Sequence, residues 1–184
     1  MELMVPSRIF FTRGMGKHRH NLESFEAALR DAGIAQCNLV KVSSIFPPGC
    51  KIMSRNAGLA RLIPGQITYC VLAEARTDEP NRLVSAGIGL AVPAKGDQFG
   101  YISEHHGCGL TEKKTGDFVE DMAASMLATT LGIEFDAEAN YDARRAVYKM
   151  SGQIVQTRAV VQTAEGDKNG KWTTVVAAAI FLFD

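Results

Sequence analysis

A chain of 184 residues, 46% hydrophobic and 22% charged, with 17 Gly and 6 Pro, has the composition of one ordinary globular domain. Its 20 Lys+Arg balance its 20 Asp+Glu. There is thus no basic surplus for neutralising phosphates and no polybasic patch for a lipid surface, so neither nucleic acid nor membrane is an expected partner. The longest wholly apolar run, 175–183 (VVAAAIFLF), is too short to span a bilayer. The opening MELMVPSRIFF lacks a basic segment followed by an apolar one, so no signal peptide is expected and the expected location is cytoplasmic. Cys37, Cys50, Cys70 and Cys108 form no C-x-x-C pair and read as free thiols.

Residues 7–12 (SRIFFT) read as a strand running into a flexible turn at 13–16 (RGMG). Asn21 is a plausible helix cap, and Leu22, Phe25, Leu29 and Ala32 then recur at helical spacing, with Gly33 as the stop. Residues 37–45 (CNLVKVSSI) are apolar and β-branched, a strand stopped by Phe46-Pro47-Pro48-Gly49. Residues 50–64 read as irregular. Strands follow at 66–75, 83–92 and 99–106, with a turn at 77–81. Thr111 is placed to cap a second helix, in which Phe118, Met122 and Met126 lie beside Val119, Ala123, Leu127 and Leu131, and Gly132 ends it. After a polar connector at 134–150 come strands at 156–163 and 172–183. Between them 165–171 (EGDKNGK) reads as a hairpin loop carrying Asn-Gly. Strands outnumber helices and short turns join them. The expectation is an α+β layered sandwich with a largely antiparallel sheet, in one domain over 1–184.

Few residues carry chemistry. Gly14-Met15-Gly16 lacks the third glycine of a phosphate loop, because position 19 is Arg. His105 and His106 are adjacent on a strand and point to opposite faces, so no metal site is expected. Glu104 lies in a segment poor in charge. On an inner strand its carboxyl would be pushed toward neutral pH, which suits a proton donor; a solvated rim glutamate is the other reading. Ser43-Ser44 precedes two prolines that stiffen the chain. The peptide between the serines could then be held in a strained form that the Ser44 hydroxyl attacks. No G-x-S-x-G elbow is present, so an ordinary serine hydrolase is not indicated.

The stretch 38–48 (NLVKVSSIFPP) resembles the self-cleavage region of pyruvoyl-dependent arginine decarboxylases. Residues 25–29 (FEAAL) and 32–34 (AGI) resemble that family's first helix. Residues 100–107 (GYISEHHG), followed by a Lys-containing helix start, resemble its proton-donor strand, and the Ala-rich last strand also matches. The resemblance implies a proenzyme that cuts itself between Ser43 and Ser44, giving a β chain 1–43 and an α chain 44–184. It implies a pyruvoyl group derived from Ser44, formed by ester formation, β-elimination and loss of ammonia. It also implies decarboxylation of L-arginine to agmatine and CO2 through a Schiff base, with the cofactor carrying the hard chemistry. By the same resemblance Glu104 is the proton donor, Asn38 assists processing or substrate binding, and Ser43 stays near the substrate. Glu26 stands where archaeal members have an aspartate that holds the guanidinium. The family's trimers and paired trimers imply a homotrimer or dimer of trimers. The alternatives are decarboxylation of another amino acid, such as histidine, and a non-catalytic oligomeric α+β protein.

Asn38 and Ser44 share a face of the predicted strand. Fully extended, that strand would put their Cα atoms about 20 Å apart. One site can use both residues only if the strand bends or if they come from different copies.

Overall fold

The computed structural model describes residues 4–184. The elements run β1 (Arg8–His18), α1 (Asn21–Ala32), β2 (Asn38–Lys41), β3 (Ile45–Phe46), β4 (Lys51–Ile52), α2 (Arg55–Leu59), β5 (Ile67–Thr77), β6 (Leu83–Pro93), β7 (Gly100–Cys108), α3 (Glu112–Thr130), α4 (Tyr141–Ser151), β8 (Ile154–Glu165) and β9 (Trp172–Leu182). They form an α+β sandwich of two sheets, where the sequence suggested one. A five-stranded sheet has the order β2-β5-β9-β1-β4, and a four-stranded sheet has the order β3-β7-β6-β8. The smaller sheet is antiparallel throughout. The larger is mixed, with parallel pairing of β1 to β4 and of β2 to β5. Helix α1 covers the outer face of the larger sheet and α3 covers the smaller one.

Alternation along the strands dictates this layering. Ile9, Phe11, Val71, Ile88, Ile102 and Phe181 fill the space between the sheets, while their neighbours Phe10, Cys70, Leu72 and Ile180 pack beneath α1. β9 is apolar on both faces because it is the central strand of the larger sheet, between α1 and the second sheet.

Several expectations are corrected. The turn at 13–16 does not exist: β1 runs straight through it and pairs with β9 along its whole length. Gly14 and Gly16 serve packing instead. A Cβ at Gly14 would collide with the Ala28 carbonyl oxygen, and one at Gly16 with that of Ser24, so α1 can lie directly on the strand only because both positions lack side chains. The cap of α1 is His20, not Asn21, and it makes no side-chain capping bond; Gly33 ends the helix in the left-handed conformation, as expected.

The loop at 165–171 is not a hairpin. β8 is an edge of the smaller sheet and β9 the centre of the larger, so this loop, like 78–82, carries the chain from one sheet to the other. The two crossings are tied together by Gly166 N–H to the Arg82 carbonyl at 2.8 Å and Asn81 N–H to the Gly166 carbonyl at 3.0 Å. The connector at 134–150 contains α4, capped by the Asn140 side chain on the Ala143 N–H. Residues 50–64 hold β4 and the short α2, whose cap is Ser54. Thr111 caps α3 as expected, accepting from the Lys114 N–H.

Gly14→Ala is expected to destabilise the protein by about 2 kcal/mol or more, since the clash is with helix backbone. Gly96→Ala, at a position with open space, should be close to neutral. Denaturant midpoints of the two variants check this.

Candidate active site

The predicted strand 37–45 breaks at its centre. β2 lies at the edge of the larger sheet, where it pairs with β5. The Val42 N–H then donates to the Cys70 carbonyl at 3.0 Å, the last bond to that sheet. Two residues later the Ser44 carbonyl accepts from the Ile102 N–H at 2.8 Å, and Ile45 and Phe46 pair with Tyr101 and Gly100 in the other sheet. Ser43-Ser44 is therefore the span by which the chain changes sheets, gripped on both sides. Between the grips the Ile45 N–H donates to the Ser43 carbonyl at 3.1 Å. The expected strain takes neither of its usual forms, because no cis bond and no positive φ occurs at these residues. Beyond Phe46, Pro47 and Pro48 turn the chain back, and the Cys50 N–H closes onto the Pro47 carbonyl at 3.2 Å.

Ser44 is half-buried and Ser43 exposed. Ser43 opens into a hollow of about 510 Å³ walled by Val42, Ile45, Pro47, Tyr69 and Phe183. Tyr69, packed edge-on against Phe183, supplies the hollow's other polar side chain. Sequence reasoning missed Tyr69 because it sits in an alternating apolar strand with no marker of its own. Two cysteines flank the crossing. Burial pushes the thiols of both Cys50 and Cys70 up to about 11; at Cys70, Lys41 opposes that rise and Glu104 adds to it.

Glu104 lies on β7 two residues beyond Ile102, whose N–H holds Ser44. The two side chains share a face, about 7 Å apart along the strand. β3 accompanies β7 only at residues 100 and 101, so beyond that point β7 is an edge and Glu104 is exposed, as in the solvated-rim reading of the two. Its neighbours part as the alternation requires: His105 packs on Phe118 of α3, with ring centroids 4.6 Å apart, and His106 takes the opposite face. Among the described residues no cluster of three His, Cys, Asp or Glu is arranged to hold a metal ion.

The other two site residues stand elsewhere in the chain. Asn38 begins β2 and donates its side-chain amide to the Gly65 carbonyl at 2.8 Å. With Lys41, Glu74, Arg76, Phe25 and Leu29 it lines a second hollow, of about 450 Å³. Glu26 is exposed on α1 next to Phe25, and its two oxygens accept from the Arg30 guanidinium at 2.7 Å each. Arg30 is held more firmly protonated by that bond. A single chain thus places Ser43 at one hollow, with Ser44 next to it and bonded to the strand of Glu104, and Asn38 with the Phe25–Leu29 side of α1 at another.

The whole of this arrangement lies within a region of clear relationship. Residues 8–184 match the family described as pyruvoyl-dependent arginine decarboxylase. The "Probable pyruvoyl-dependent arginine decarboxylase" of Chloroherpeton thalassium is 60% identical over 178 residues, which cover 97% of this chain and 98% of the relative. The "Pyruvoyl-dependent arginine decarboxylase 2" of Methanosarcina acetivorans is 56% identical over 179 residues, with the same coverage. The "Probable pyruvoyl-dependent arginine decarboxylase" of Chlorobium limicola is 54% identical over 178 residues. The chain belongs to the pyruvoyl-dependent arginine decarboxylase family, whose dependence implies a covalently bound pyruvoyl group. The residues present fit such a group. Position 44 carries the hydroxyl amino acid from which a main-chain ketone can form, its carbonyl is already anchored by Ile102, and the hollow beside it has an apolar wall.

Alkylation of the native protein at pH 7.5 is expected to modify exposed Cys108 first. Cys50 and Cys70, buried and held as neutral thiols, should react only after unfolding. Peptide mass mapping of the labelled sites checks the order.

Proposed function

We propose that the chain is a proenzyme that cuts itself between Ser43 and Ser44 and then decarboxylates L-arginine to agmatine and CO2. The observation that carries this reading is the doubly gripped Ser43-Ser44 crossing in a chain that matches the family from residue 8 to residue 184. The pyruvoyl group at position 44 supplies the electron sink for the pair left behind when CO2 departs.

The chain's own residues do the rest. Glu104, on the strand that anchors residue 44, delivers the proton to the α-carbon. Glu26 takes the substrate guanidinium. Its fork-like pairing with Arg30 already has the shape of that contact, and an exposed pair of this kind opens at little cost. Asn38 offers an amide to the substrate or to the uncut chain, and the Ser43 carboxylate left by the cut stays at the hollow.

The cut leaves one domain made of two interlocked chains. Residues 1–43 contribute β1, which lies between β9 and β4 inside the larger sheet. The two pieces should therefore copurify under native conditions and separate only in denaturant.

Glu26 and Asn38 reach the residue-44 site through a second copy of the chain, in a homotrimer or a pair of trimers. Val40, Val42, Ile45 and Ile67 leave an exposed apolar surface around the crossing, which such a copy would cover. The described helices include none long and apolar enough to cross a membrane. Four free cysteines suit a reducing cytoplasm.

Carboxyl-labelled arginine should release labelled CO2 with the wild-type protein and none with Ser44→Ala. Glu104→Gln should still be cut but turn over about 100-fold or more slowly. Equal release by wild type and Ser44→Ala would overturn the reading. Oligomers reassembled from Asn38→Ala and Ser44→Ala chains should regain part of the activity if sites are shared, and none if each chain is self-sufficient.

A further inference from the structure

The Ser43–Ser44 bond sits in a three-residue turn. Its defining bond runs from the Ile45 N–H to the Ser43 carbonyl oxygen at 3.1 Å, with Ser44 at the apex. Ser44 does not take a positive φ, so the turn is of the inverse γ type. We infer that the main-chain N–H of Ile45 is the oxyanion donor of the cleavage reaction. The inference rests on the self-cleavage proposed above and assigns a group within it.

The step balances without any co-reactant. The Ser44 Oγ forms a bond to the Ser43 carbonyl carbon, and the C=O π pair moves onto the carbonyl oxygen. When that pair returns, the bond from the Ser43 carbon to the Ser44 nitrogen breaks. The nitrogen takes up the proton that Oγ has lost. The product is an ester between Ser43 and the Ser44 side chain, with a free amine at residue 44.

Negative charge appears on the Ser43 oxygen only during this step. A donor already aimed at that oxygen therefore gains more in the transition state than in the resting chain. The bond at 3.1 Å is an ordinary neutral one, and it strengthens as charge develops. The flanking grips keep the donor in place. The Ile102 N–H fixes the Ser44 carbonyl and the Cys70 carbonyl fixes Val42, so the turn cannot relax toward either sheet. The two-residue length of β3 belongs to the same device. Ile45 is gripped from β7 through its neighbour's carbonyl, while its own N–H is turned back on Ser43.

The test is a full-length chain in which residue 45 is the α-hydroxy acid counterpart of isoleucine, so that the N–H becomes an oxygen and the side chain is kept. Cleavage is followed by intact mass under denaturing conditions. Wild type should cut, and the backbone-ester chain should cut about 100-fold more slowly. A backbone-ester chain that cuts at the wild-type rate overturns the inference while leaving the cleavage reading intact. A wild type that never cuts removes both. A second measurement does not depend on the ester chain folding. In uncut Ser44→Ala protein the Ile45 amide should exchange its hydrogen at least about 10-fold more slowly than an open amide. Exchange at the open rate overturns the inference.

Discussion

The chain leaves one sheet and joins another within two residues, and the rest of the site depends on that constraint. Sheet edges present unused N–H and C=O groups, and here both are put to use. The Cys70 carbonyl takes the Val42 N–H on one side, and the Ile102 N–H takes the Ser44 carbonyl on the other. A dipeptide stretched between two edges has little freedom of its own. Its carbonyls and the next N–H are held by backbone hydrogen bonds rather than by local preference. The sandwich is in turn set by β9, whose run from Val175 to Leu182 is apolar on both faces and requires cover on both sides, and by the glycines of β1, which let α1 lie on the outer face of the sheet.

The same geometry divides the functional residues. β7 carries both the N–H that anchors Ser44 and, two residues on, the carboxyl of Glu104. The start of β2 carries Asn38 at a different hollow, walled on the α1 side by Phe25 and Leu29, and Glu26 is exposed next to Phe25. The extended-strand estimate allowed two ways to join Asn38 to Ser44, a bend or a second copy. The chain does bend at 42–44, yet the bend sends Ser44 toward the smaller sheet while Asn38 remains paired beside Ile67. One chain alone thus keeps Asn38 and Ser44 apart, which favours the proposed second copy, and the apolar surface left around Val42 and Ile45 is what such a copy would cover.

Much of this was legible in the sequence. Periodicity located α1, α3 and the long strands other than β1 to within a few residues, and the Ser-Ser-Ile-Phe-Pro-Pro run stood where the chain crosses. What periodicity could not reveal was which sheet a strand joins. An Asn-Gly loop between two strand patterns looks the same whether the strands pair or belong to stacked sheets, so 165–171 read as a hairpin. Gly14 and Gly16 looked like a turn because a glycine that admits a helix leaves the same trace as one that bends a strand. α4 escaped because Tyr148 is the one deeply buried side chain among its described residues; its apolar stripe was too thin to register, although Asn140 and Gly152 framed it. At the proposed site, Ser43, Ser44 and Glu104 were singled out by motif and resemblance. The backbone donors of Ile45 and Ile102 have no residue signature at all.

The most direct test of the account is the intact mass of the purified protein after denaturation. Two chains are expected, one ending at Ser43 and the other beginning at residue 44 with a pyruvoyl group in place of serine. A single uncut chain of 19.9 kDa, unchanged after prolonged incubation, would contradict it.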